Sequence, residues 1–370
     1  MIVSTGFISG FKFAIREKLY SFWGQVLSVP FDANQGDIVS ATSIRYDASL
    51  QQQVQQMPGV KQVSPFALRP SIIMANKQME GLRMKGITKN YQFSKGISFK
   101  GRPISFSDTG YAKDILLSQT TAARLNLQTG DPVMLYSLEP GNVRVRKLIL
   151  AGIYHTGMEE VDKQFAICDI RLLQRLSNWQ PDEISGYQVT LNNPELADTM
   201  ASQIYDRFIQ PPLESYSINH TYEGIFSWLG MQDVNARILL IIVAIMAVIN
   251  LSAALLILMV DRAVMVGLLK ALGMPYAGLR NIFLYLAGLI SLSGLFFGNL
   301  LGLGICWAQQ YFGFLHLPED TYYIHTVPVR IIWWHIVVID LATLVLCMLC
   351  MTLPTLYIRR IQPVRVLQFK

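Results

Sequence analysis

Charge is what this sequence has least of. Of its 370 residues only 15% are Asp, Glu, Lys or Arg, against about 25% in an average soluble protein. The shortage is uneven. Residues 238–260 and 281–318 carry no charge at all, and between residues 331 and 358 the single charge is Asp340. Mostly apolar runs of about 18 or more residues can cross a ~30 Å hydrocarbon core as helices, so a soluble protein is excluded. Cysteine is scarce too, with four in all. Cys168 stands alone in the hydrophilic region, which therefore cannot close an internal disulfide. Cys347 and Cys350 form a CxxC inside an apolar run, where small packing residues are the better reading than a redox or zinc pair.

Signatures of catalysis are missing as well. The sequence has no GxxxxGK[ST] phosphate loop, no HExxH, no GxSxG and no paired-cysteine zinc spacing in its hydrophilic region. Its five histidines are scattered. The expectation is a chain with no catalytic residue, no metal site and no cofactor of its own.

Three spans are expected in the C-terminal third, at about 236–260, 281–307 and 332–355. Their connections set the orientation. Residues 261–280 hold Arg262, Lys270 and Arg280 against one acid, Asp261, and the tail after Pro354 holds Arg359, Arg360, Arg365 and Lys370 with none. The connection 308–330 instead holds Glu319 and Asp320, with Arg330 at its edge. Positive loops stay in the cytoplasm, which places 261–280 and the tail inside and everything before Asn235 outside. The net charge of +6 follows from this topology and needs no nucleic acid. Residues 2–13 are apolar but too few to span, and read as the outer half of a first span that begins upstream, with a short interfacial helix resting Lys12, Arg16 and Lys18 on lipid headgroups as the alternative.

Residues 24–230 read as a mixed α/β domain. Strand-like runs recur at 60–65, 69–75, 81–87, 114–117, 132–136, 143–154, 164–168 and 186–191, with a hairpin turn at Glu139-Pro140-Gly141-Asn142. Helices are expected at 119–126, 169–176 and 194–208. The last has Asn193 as N-cap, Pro194 as its first residue and a stripe of Leu196, Met200, Ile204 and Phe208.

Three features carry mechanism. Residues 262–272 are helix formers closed by Gly273 and Pro275. Val264, Leu268 and Leu272 share one face, with Met265 and Leu269 beside it, and Arg262, Lys270 and Ala271 complete a segment suited either to tucking against the bundle or to a groove on a cytoplasmic partner. Gly294, Gly298 and Gly302 form a strip that another helix, of this chain or of a second subunit, can approach closely. Asp340, at membrane depth, suits a structural polar contact with Asn250 or Asn299 better than ion coupling.

These residues resemble a known family. A large extracytoplasmic domain ahead of three spans is similar to the FtsX-like permeases of type VII ABC transporters, and residues 266–274 (VGLLKALGM) to their coupling segment. Residues 318–329 (PEDTYYIHTVPV), 152–162 (GIYHTGMEEVD), the tail from Pro354 through 359–367 (RRIQPVRVL), and Gly6, Phe7, Phe11 with 15–19 (IREKL) resemble the lipoprotein-releasing, Lol-type members. Where many members carry an acid before the Ile-Gly of the coupling segment, this chain has Val264 and Met265, so that acid's contact to the ATPase is absent or replaced.

The resemblance implies an α-helical transmembrane bundle, three complete spans plus a truncated first one, with a large MacB-like periplasmic α/β domain. The expected division is 1–23 (span end and stalk), 24–230 (periplasmic domain) and 231–370 (permease domain). The implied function is release of outer-membrane-directed lipoproteins from the inner membrane by mechanotransmission. The implied partners are a cytoplasmic ABC ATPase that consumes the ATP, a second permease subunit (same chain or paralogue), the lipoprotein, a periplasmic lipoprotein carrier and the bilayer. A macrolide-exporter-like efflux permease and an FtsX-type signal transmitter are the alternatives.

Overall fold

The computed structural model describes residues 1–31, 43–91, 93, 96–108, 110–137, 143–209, 211–317, 324 and 326–358. The expected turn at Glu139–Asn142, nearly all of the loop 318–324 and the basic tail from Arg359 lie outside them. The chain divides into two compact units. One takes Met1–Phe13, Trp228–Leu317 and Thr326–Lys370, and the other Ala14–Ser227 with Pro318–His325. The first helix, α1 (Ile2–Trp23), is uninterrupted and gives residues to each. The expected boundary at 23/24 falls at its end, whereas the α/β unit begins at Ala14.

In the α/β unit, β1 (Val26–Pro30), β2 (Ile44–Arg45) and α2 (Ala48–Gln55) lead into two long strands, β3 (Val60–Ala75) and β4 (Gln78–Ile87). Then come β5 (Ser98–Gly101), β6 (Asp114–Ser118), α3 (Gln119–Arg124), β7 (Pro132–Ser137) and β8 (Arg144–His155). After α4 (Glu159–Asp162) follow β9 (Phe165–Asp169), α5 (Ile170–Leu176), β10 (Glu183–Ile184) and β11 (Gly186–Leu191). A 3-10 turn at Pro194–Leu196 precedes α6 (Ala197–Phe208), β12 (Leu213–Ser217) and α7 (Ile218–Thr221). Short polar side chains start the helices. Asp47, Ser118, Asp169 and Asn193 each accept backbone N–H groups of the turn that follows.

The sheet runs β12-β1-β11-β3-β4-β9-β6-β8-β5, and β7 pairs with both β3 and β8. The strands β3-β4-β9-β6-β8-β7 therefore close on themselves as a six-stranded barrel, with β11, β1 and β12 as a flank. The two runs expected at 60–65 and 69–75 are one strand. It pairs with β11 through residues 60–66 and with β4 through residues 67–75. Pro65, which suggests a break, sits where the strand has β11 as its only strand neighbour, so its missing N–H leaves no second ladder short. The stripe on α6 also needs a correction. Met200 and Ile204 are buried and Phe208 packs on the core, but Leu196 belongs to the 3-10 turn, turns away and is 46% exposed.

Both faces of the central strands are covered. Ile115 and Leu117 point into one buried cluster and Leu116 into another, and Ala166 and Cys168 alternate with Phe165 and Ile167 in the same way. That is why β6 and β9 read as unbroken apolar runs rather than alternating ones. Burial pushes the Cys168 thiol well up, which leaves it inert.

The other unit takes α8 (Glu223–Asp261) from Trp228 onward, then α9 (Ala263–Ala271), α10 (Tyr276–Phe312) and α11 (Trp333–Ile358). Two described helices, Glu223–Leu258 and Tyr276–Phe312, are long and apolar enough to cross a bilayer, and Trp333–Leu349 is a shorter apolar stretch. On α8, Ile238, Leu239, Ile241, Ile242, Ile245, Met246 and Ile249 are all at least half exposed. That much bare aliphatic surface is stable in lipid and not in water. Exposed Trp307, Tyr311 and Phe312 near the end of α10, and Trp333 and Trp334 at the start of α11, are the amphipathic rings that collect at a membrane–water interface.

Candidate functional site

The short helix α9 is held between two long ones. Gly273, at φ +87, ends it in a conformation open to glycine, and Met274 N–H returns to the Leu269 carbonyl at 3.0 Å. Val266 is fully buried, and Leu269 and Met274 pack on a cluster of Leu279, Phe283 and Ala287 from α10. The face tucked against the bundle is therefore Val266 and Leu269, three residues apart. The face left bare is Val264, Leu268 and Leu272, at 60%, 52% and 77% exposure, with Met265 at its side. Arg262 and Ala271 are exposed and Lys270 is half-buried. An anchored helix thus presents four apolar side chains outward. Covering each Leu- or Val-sized side chain is worth about 1.5–3 kcal/mol.

The glycine strip has two different ends. A Cβ built on Gly302 would meet Ile2 of α1 at 3.5 Å, while among the described residues nothing lies within 4 Å of one built on Gly294 or Gly298. The strip is one-third used within the chain, and its other two positions are bare. Asn299 donates through Nδ2 to Asp340 Oδ2 at 2.7 Å, so of the two expected partners it is Asn299, and not Asn250, that reaches the carboxylate and ties α10 to α11.

Other contacts of the membrane unit had no signal in the sequence. Lys12 of α1 pairs with Asp233 of α8, and Phe11 meets Trp228 edge-on at 5.7 Å. A Cβ on Gly10 would collide with the Pro328 carbonyl, and Arg330 N–H donates to the Gly6 carbonyl at 3.1 Å. The glycines of α1 thus admit the chain that leads into α11. Gln309, 1% exposed, closes the turn after α10 by donating to the Leu315 and Val327 carbonyls and accepting from Leu315 N–H at 2.9 Å. Among the described residues no group of three or more His, Cys, Asp or Glu could hold a metal.

Residues 237–363 match the FtsX-like permease C-terminal family. This stretch contains α9, the glycine strip and the Asn299–Asp340 contact, and it is the permease domain of the chain. Over its full length the chain is similar to the lipoprotein-releasing system transmembrane protein LolC of Xylella fastidiosa (strain Temecula1), 22% identical across all of this chain and 90% of that one. It is likewise similar to the LolE protein of Haemophilus influenzae, 21% identical across 99% of this chain and 90% of the other. The periplasmic region of MacB from Actinobacillus actinomycetemcomitans aligns with 55% of the chain and 92% of its own length, at 11% identity and a TM-score of 0.39. Residues 237–363 thus carry the match to the FtsX-like permease C-terminal family, and the chain as a whole is similar to LolC- and LolE-type transmembrane proteins.

Proposed function

We propose that this chain is a membrane subunit that extracts lipoproteins from the inner membrane, driven by a separate cytoplasmic ABC ATPase. The observation that carries the reading is the bare stripe of Val264, Leu268 and Leu272 on a helix anchored by Val266. An exposed apolar ridge beside basic Arg262 and Lys270 fits a groove on a soluble motor. The names of the full-length relatives support lipoprotein release.

In this reading α8, α10 and α11 cross the membrane, α9 lies in the cytoplasm and the α/β unit lies in the periplasm. A second permease, the same chain or a paralogue, covers Gly294 and Gly298. ATP binds only to the ATPase. Its closure pushes α9, the spans rock, and α1 and α8 carry the motion to the periplasmic unit, where a carrier receives the lipoprotein. Energy input is required because each acyl CH₂ withdrawn from the bilayer costs about 0.8 kcal/mol. The test is depletion followed by membrane fractionation. Outer-membrane lipoproteins are expected to accumulate in the inner membrane, and normal sorting would overturn the reading.

A further inference from the structure

Lys85 is the oddest residue in the α/β unit. It lies near the end of β4, two residues before Ile87, with no exposed surface. A lysine is almost never fully buried unless paired, yet among the described residues no carboxylate lies within ion-pairing distance of it. Its Nζ instead donates to the backbone carbonyl of Phe22 and, at 2.8 Å, to Gln188 Oε1. Aromatic faces surround the rest: Phe22 and Trp23 at 4.5 Å, Tyr91 at 5.3 Å and Phe66 at 6.0 Å.

The position of Phe22 gives this arrangement its meaning. It is the next-to-last residue of α1, where carbonyls have no intrahelical partner and the helix dipole is negative. Tyr91 donates its hydroxyl to the same carbonyl at 3.2 Å. The neighbouring residues are clasped as tightly. Trp23 Nε1 donates to Tyr222 Oη at 2.9 Å, Tyr20 stacks on Phe226 and donates to Asn219 Oδ1 at 2.8 Å, and Ile218 N–H donates to the Gln25 carbonyl at 3.0 Å. Two helix ends, the last turn of α1 and the first turn of α8, are thus fastened to the barrel at one place. A leucine or methionine in the cage would fill the space and pack the rings. A polar amine there costs desolvation and adds directional bonds to one helix end.

We infer that Lys85 is a positioning residue that locks the end of α1 to the barrel, so that motion of the helix is delivered to the α/β unit instead of being lost at a loose joint. This rests on the mechanical reading above and deepens it. Tyr91 and Gln188 are its auxiliaries.

The test uses the full chain assembled with its ATPase and partner permease in nanodiscs. Lys85→Met is expected to keep ATP hydrolysis within about twofold of wild type while lipoprotein release per ATP falls about tenfold, and Tyr91→Phe to lower it about threefold. In the same samples, amides of residues 20–25 should exchange hydrogen at least about tenfold faster in Lys85→Met, with those of β6 and β9 unchanged. Release per ATP within twofold of wild type, or unaltered exchange at 20–25, would overturn the inference. Where Lys85→Met does not accumulate, Tyr91→Phe and Gln188→Leu decide it by the same two readings. If wild type itself releases no lipoprotein, the functional reading has failed, and the exchange measurement still judges the lock.

Discussion

The two units solve opposite packing problems with the same residue types. In the α/β unit Leu116, Ile167 and Phe165 sit between covered faces with 2% exposure or less, and its buried carboxylates are bonded several times over. Asp169, for example, accepts from Ala112 N–H, Arg171 N–H and the Arg171 guanidinium. In the membrane unit Leu300, Leu301, Phe296 and Trp307 are more than half exposed, and α10 and α11 meet through close packing, as of Met348 on Gly288, with the polar pair Asn299–Asp340 beside it. Water drives apolar groups inward in the first case and lipid has no reason to do so in the second. Substitutions should therefore follow different rules in the two units, and the bare apolar stripe of α9, which the proposed function puts in the cytosol and not in lipid, should stand out.

The largest effect is expected at that exception. Leu268→Asp should leave the protein inserted but abolish copurification of the ATPase, whereas Val266→Asp should remove the protein itself, because it places a charge in the anchor of α9. Retained copurification in Leu268→Asp would take α9 out of the mechanism. Next comes the barrel core. Phe165→Ala, which empties a site shared with Phe22 and Trp23, should cost about 3–5 kcal/mol in denaturant unfolding followed by tryptophan fluorescence. An equal truncation on the lipid face, Phe297→Ala, should cost far less, and equal losses would erase the distinction between the units.

A smaller effect is expected at Asp114. Burial raises its pKa, but the Arg102 guanidinium (Nη2 to Oδ1, 2.8 Å) and the Ser105 N–H (2.9 Å) outweigh this and hold it below the ordinary 3.8. A depressed carboxylate stabilises the fold above its unfolded pKa, and that contribution is lost as pH falls through the lower folded value. Asp114→Asn should cost about 2 kcal/mol at pH 7, and the gap to wild type should close on acidification below pH 3.8. A gap constant with pH would contradict the pairing. The smallest effect belongs to Asn299→Leu, at about 0.6 kcal/mol, the typical worth of an interhelical hydrogen bond in lipid.

How much of this was legible depended on local pattern. Unbroken apolar runs gave β6 and β9, and polar caps at Ser118 and Asn193 marked helix starts. β1 and β12 were missed because Val26–Pro30 and Leu213–Ser217 carry no alternation: all of β1 is buried between two neighbours, and β12 is mixed in burial. Lys85 was invisible for a related reason. In the run Leu82, Arg83, Met84, Lys85 it occupies what looks like a solvent-facing position, and only the closure of the sheet shows both faces of β4 covered. In the permease domain the stripe on α9 was readable from spacing, but which residues it anchors with was not. Val266 and Leu269 were chosen by the position of Phe283, seventeen residues beyond Val266. The partner of Gly302 lies at the far end of the chain, where no periodicity reaches.

The most direct measurement is the accessibility of Leu268→Cys in a background lacking the four native cysteines. A membrane-impermeant maleimide should label it in inside-out inner-membrane vesicles and not in spheroplasts, and bound ATPase should block the labelling. Labelling from the outer face, or labelling that the ATPase leaves untouched, would contradict a cytoplasmic lever gripped by a motor.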